Sequence, residues 1–66
     1  MGFRIREIRK IAGMTQEQLS KKSGVSRVTI SGLESGRIKI TSTGTLLKIA
    51  SALGVQLSSI FCTEND

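Results

Sequence analysis

Ten Lys and Arg side chains and five carboxylates carry the ionisable chemistry of this 66-residue chain, and no histidine accompanies them. Without His, neither a Ser–His nor a Cys–His nucleophile pair can form. Cys62 is the one cysteine, so it has no intrachain disulfide partner and no second thiol for the usual zinc set. Acid–base catalysis would have to be built from Glu7, Glu17, Glu34, Glu64 and Asp66 alone. The expectation is therefore no enzyme, no metal, no cofactor and no small-molecule ligand. What remains is the cations, and their distribution is uneven. Residues 1–40 hold nine cations against three anions, whereas residues 41–66 set Lys48 against Glu64 and Asp66. Positive charge gathered on one part of a small chain suits a polyanionic partner, or else is a plain solvated surface.

Such side chains need a scaffold, and the chain is short for one. Apolar residues make up 38% of it, and a domain of this size buries only about 60% of its unfolded surface. Tight helix packing or dimerisation must supply the remainder. The longest apolar run is three residues, Ile60 to Cys62, too short for a membrane span or the core of a signal peptide. Arg6 stands where a myristoylation signal needs Ser or Thr, and Cys62 sits one residue too far from the C-terminus for a prenylation box. A cytoplasmic protein with no membrane partner is expected.

Apolar residues recur at helical spacing, and no segment alternates as a strand would. The spacing predicts an all-α fold of five short helices in a compact bundle. Ile5, Ile8, Ile11 and Ala12 form the inner face of the first helix, which Gly13 ends. Thr15 to Gln18 fits a capping box, and Met14 with Leu19 a hydrophobic staple, at the start of the second. Gly24 closes that helix in a left-handed conformation. Ser26 caps a third, with Val25 and Ile30 repeating the staple, and Ser35-Gly36 ends it. Two helices of about eight residues joined across one glycine must cross steeply, which is helix-turn-helix geometry. After a loop over residues 37–42, Thr43 or Ser42 caps a fourth helix with Leu46, Leu47, Ala50 and Leu53 inward and Gly54 as terminator. A last turn, Leu57 to Phe61, carries an apolar patch.

Residues 16–36, QEQLSKKSGVSRVTISGLESG, resemble the helix-turn-helix of the lambda-type repressor and Cro family. IREIRKIAGMT is similar to that family's first helix, and TLLKIASALGVQLSSIF to its fourth and fifth, so the resemblance spans roughly residues 3–61. It implies one DNA-binding domain over residues 1–66, with a core at 3–61, a tail at 62–66 and the helix-turn-helix as helices two and three. It also implies that Gln16 bonds a DNA phosphate and braces the recognition helix. A Glu such as Glu34 pairs in this family with an Arg on the first helix, here Arg9. Three features depart from the pattern. Ser20 replaces the commonest Ala, with its hydroxyl expected on the Gln16 carbonyl. Ser23 stands at a position usually apolar, thinning the core there. The loop after Gly36 is about one residue longer than in many relatives and lacks their proline.

Independently of the name, Ile30 and Leu33 turn one side of the third helix inward. Val28, Ser31, Gly32 and Ser35 are then left outward, flanked by Arg27 and Thr29. Small, polar and cationic residues suit a major groove about 12 Å wide. Arg27 fits a guanine edge or a phosphate, and Val28 a thymine methyl or chance exposure. Ser26 and Thr29 fit bases, phosphates or their own backbone. Gly32 permits close approach to the groove, or is simply tolerated. Ser31 completes the base-contacting set, and Ser35, Gly36, Arg37 and Lys39 join Gln16 as backbone clamps. Val55, Leu57, Ile60 and Phe61 are the expected dimer surface. The resulting expectation is a sequence-specific regulator of double-stranded DNA, a repressor, acting as a homodimer on a near-palindromic operator. The alternative is a protein-binding adaptor or an antitoxin using the same fold.

Overall fold

Among the described residues, four α-helices and one 3-10 turn succeed one another: α1 over Ile5–Ile11, α2 over Gln16–Ser23, α3 over Arg27–Ser35, α4 over Thr43–Leu53, and the turn over Leu57–Ser59. This architecture is that of a computed structural model, which describes residues 3–39 and 41–61. Met1, Gly2, Ile40 and the tail 62–66, Cys62 included, lie outside the described residues. The fold is all-α as expected, but the fifth helix is only the 3-10 turn. Of the five residues between the Gly54 terminator and buried Ile60, three, Leu57–Ser59, make one tight turn.

Local chemistry sets where the helices begin. The Thr15 hydroxyl accepts from the Gln18 amide at 3.0 Å, and the Gln18 side chain accepts from the Thr15 amide at 2.9 Å. Each bond satisfies an amide that a helix start leaves without an internal partner. Ser26 and Ser42 cap α3 and α4 in the same way, through the amides of Thr29 and Thr45. Between α2 and α3 the backbone turns through Gly24, at φ +76°, a conformation that a side chain would strain.

Val25 in that turn has no helical partners for its backbone, and the two serines that depart from the family pattern supply them. Ser20 Oγ donates to the Val25 carbonyl at 2.7 Å, and the Val25 amide donates to Ser23 Oγ at 3.1 Å. The expected bond from Ser20 to the Gln16 carbonyl is thus replaced by one to the turn. These serines clamp the corner of the helix-turn-helix rather than thin its core.

Ile5, Leu19, Ile30, Leu33, Ile49 and Ile60 are the large side chains buried to 2% exposure or less, and they draw on all four helices and the residue after the 3-10 turn. α2 packs against both α3 and α4, and α1 against the same two helices. Ile11, expected inward, is 85% exposed. It lies about 120° around the helix from Ile5, so one helix cannot bury both on a single stripe. Leu47 is likewise outward, and the α4 stripe runs instead through Leu46, Ile49, Ala50 and Leu53, at spacings of three, one and three. Ala12 is exposed at the C-cap of α1.

The ends of the described chain meet. Phe3 and Phe61 form an isolated antiparallel bridge, the Arg4 amide donates to the Ile60 carbonyl at 2.6 Å, and the two rings stand 6.0 Å apart at 47°. Nothing in the apolar periodicity signals this pairing. Ile60 is completely buried beside it, so it has no surface to offer a second copy. Its place in the dimer set is corrected to the core.

Candidate nucleic-acid interface

α3 is buried on one side and open on the other, and its inner side is held by an ion pair. Arg9, on α1, donates from Nε to Glu34 Oε2 at 2.7 Å and from Nη2 to Oε1 at 3.1 Å. Its third donor, Nη1, reaches the Met14 carbonyl at 2.8 Å. Gln16, at the start of α2, donates from Nε2 to Glu34 Oε1 at 3.1 Å. One carboxylate on α3 therefore ties α1 to α2, and Arg9 fastens the connection between them. The side chains of Arg9 and Glu34 are 11% and 5% exposed, so solvent screens this pair little. Burial pushes the Glu34 carboxyl up, but hydrogen bonds from Arg9 and Gln16, with the charges of Arg9 and Arg6, outweigh it and hold the group below its ordinary range. The hydrogen bond to Glu34 raises Arg9 in turn, against the desolvation that burial imposes.

On the opposite side α3 is open. Val28 is 71% exposed, and Arg27 and Ser35 are exposed with it, while Ser31 is half-buried. Ser26 and Thr29 are partly engaged. The Ser26 hydroxyl accepts from the Thr29 amide and donates to Thr29 Oγ1 at 2.9 Å, which leaves the Thr29 hydroxyl hydrogen as the donor this pair can offer. Ser35 Oγ donates to the Gly32 carbonyl at 3.2 Å and accepts from the Arg37 amide at 3.3 Å. Gly36 and Lys39 are exposed beyond it.

Gly32 is corrected. It is buried, and the surface above it is occupied by the following loop rather than left for DNA. A Cβ at Gly32 would stand 2.5 and 2.7 Å from Cδ1 and Cγ1 of Ile38, and 3.1 Å from Arg37 Nη2. The Ile38 amide donates to the Gly32 carbonyl at 3.0 Å. The close approach that this glycine permits is that of its own chain, and it fastens the loop bearing Arg37 and Lys39 to α3. Arg37 Nη2 comes to 3.5 Å from the Val28 carbonyl, so this cation is drawn beside the exposed valine of the helix. Ile38 went unnoticed in the sequence, although a lone apolar residue between two cations, six positions after a helical glycine, was a signal of it.

At the edge of this face a cleft of about 190 Å³ opens between α1, the start of α2 and α3, lined by Arg6, Arg9, Gln16, Ser31, Glu34 and Ser35. Elsewhere on the surface Phe61 is 39% exposed, and Val55 and Leu57 are half-buried beside the core. Among the described residues no helix is long and apolar enough to cross a membrane.

Comparison with known proteins adds to this geometry. A family model described as helix-turn-helix matches residues 5–60. The chain is 40% identical to an HTH-type transcriptional regulator of Methanocaldococcus jannaschii, over all of this chain and 98% of that one. It is 42% identical to the immunity repressor protein of Bacillus phage phi105, over 97% of this chain and 44% of the repressor. Its fold is similar to that of the restriction-modification controller protein C.AhdI from Aeromonas hydrophila, with a TM-score of 0.81 and 36% identity over 88% of this chain and 86% of that one.

Proposed function

This chain belongs to the lambda repressor/Cro-like helix-turn-helix family of transcriptional regulators, and on that premise we propose that it is a cytoplasmic, sequence-specific repressor acting as a homodimer on a near-palindromic operator. The observation that carries the reading is the two-sidedness of α3. Its inner side is fixed by Glu34, while Val28 stands 71% exposed on the other. An exposed β-branched residue gains nothing from water and much from a thymine methyl group. Arg27, one residue before it, reaches a guanine edge, and Ser31 and Thr29 supply further polar contacts. Gln16, Ser35, Gly36, Arg37 and Lys39 hold phosphates around them. Val55, Leu57 and Phe61, joined by Phe3, form the contact with a second copy, which sets two recognition helices about 34 Å apart, in successive major grooves. Repression follows from occlusion of the promoter by the bound dimer.

Selection of duplexes from a random pool tests this reading. Enrichment of an inverted repeat supports it. An enriched but unpaired site removes the dimer, and recovery of no motif removes sequence-specific binding. An adaptor of the same fold would instead tolerate loss of Arg27 and Gln16.

A further inference from the structure

The cleft between α1 and α3 contains one cation that neither the fold nor the proposed contacts use. Arg6 is exposed, and among the described residues no hydrogen bond or ion pair engages its guanidinium. It lines the cleft together with Gln16, Ser31 and Ser35, three residues assigned to the DNA-facing side, and with the Arg9–Glu34 pair. Both oxygens of Glu34 are occupied, Oε2 by Arg9 and Oε1 by Arg9 and Gln16. The carboxylate is thereby neutralised from within the chain, and the charge left over at the cleft is that of Arg6. The first amides of α2, at Gln16 and Glu17, have no intrahelical acceptor, and Gln16 lines the cleft. The cleft, about 190 Å³ and open to solvent, leaves room for a phosphate group.

We propose that Arg6 is a DNA-phosphate ligand contributed by α1, seating one backbone phosphate in this cleft between its guanidinium and the start of α2. The backbone is then gripped on both sides of the recognition helix, by Arg6 on one and by the Arg37–Lys39 loop on the other. Arg9 and Arg6, three residues apart on α1, divide the work: the first is spent on Glu34 and the second faces the nucleic acid.

The inference rests on the DNA-binding reading, and its test separates the two. The wild-type chain, Arg6→Gln, Arg6→Lys and Lys10→Gln are titrated by fluorescence anisotropy into a selected duplex and a random-sequence duplex over a range of salt. Arg6→Gln is expected to weaken binding about five- to tenfold to both duplexes and to reduce the slope of log affinity against log salt by about 0.9. Arg6→Lys retains the slope, and Lys10→Gln, on an exposed position of α1 outside the cleft, stays within twofold of wild type. Unchanged affinity and slope in Arg6→Gln, with wild-type binding intact, overturns the assignment of Arg6 alone. A wild-type chain that binds neither duplex overturns both readings.

Discussion

Glu34 is the residue on which the pose of the recognition helix turns, since one carboxylate receives Arg9 and Gln16 from two other helices. Removing one partner of a largely buried pair leaves the other charge without compensation. Glu34→Gln is therefore expected to lower stability by about 2 kcal/mol or more, a fall in Tm on the order of 10 °C for a domain of this size. The pH dependence follows from the lowered carboxyl. A depressed native pKa means that the unfolded chain takes up the proton first as pH falls. The contribution of Glu34 is then complete above the ordinary value of about 4.3 and is lost as pH drops through the native one. Urea unfolding between pH 7 and pH 3 should show a steeper acid loss in the wild type than in Glu34→Gln, and parallel curves would contradict the pairing's role. Arg27→Ala, on the open side, should cost about 1–3 kcal/mol in binding and relax preference at one base pair only, read by competition with single-base operator variants.

At the scale of elements, much of the fold was legible because helix starts and turns are local. Thr15, Gln18, Ser26 and the glycine at 24 act through bonds to residues within three or four positions, so their types and spacing suffice. The stripes of α1 and α4 were legible only in part. Ile11 and Leu47 are as apolar as their buried neighbours, and which isoleucine or leucine turns inward is decided by the helix packed against it. Least legible was the seat of Ile38 on Gly32, since a glycine in a helix suggests close approach without saying of what. Gly32→Ala gains up to about 1 kcal/mol in helix propensity but forces a methyl group against Ile38, at about 1–3 kcal/mol for overpacking. The second effect wins, and denaturant unfolding should show a net loss. In an Ile38→Ala background the clash is gone, and the same substitution should stabilise. A loss of equal size in both backgrounds would mean that the loop is not seated as described.

Across the whole molecule, most of the positive charge lies in the first 40 residues, with Arg27 on α3 and Arg37 and Lys39 just after it, while Phe3, Val55, Leu57 and Phe61 leave apolar surface partly exposed around the core. Sequence alone placed Ile60 on that outer surface, because a run of apolar residues near a terminus reads alike whether it faces in or out. The bridge between Phe3 and Phe61, which closes over Ile60, is a contact across nearly the whole chain that no local pattern announces. Phe61→Glu should shift sedimentation equilibrium toward monomer and weaken binding to a two-half-site duplex at least tenfold, while binding to an isolated half-site changes little. The central claim, that the open face of α3 reads a paired DNA sequence, is tested most directly by sequencing the duplexes that purified wild-type protein retains from a random pool. The retained duplexes should share an inverted repeat with half-sites about one helical turn apart, and retention of duplexes with no enriched sequence would contradict sequence reading by α3.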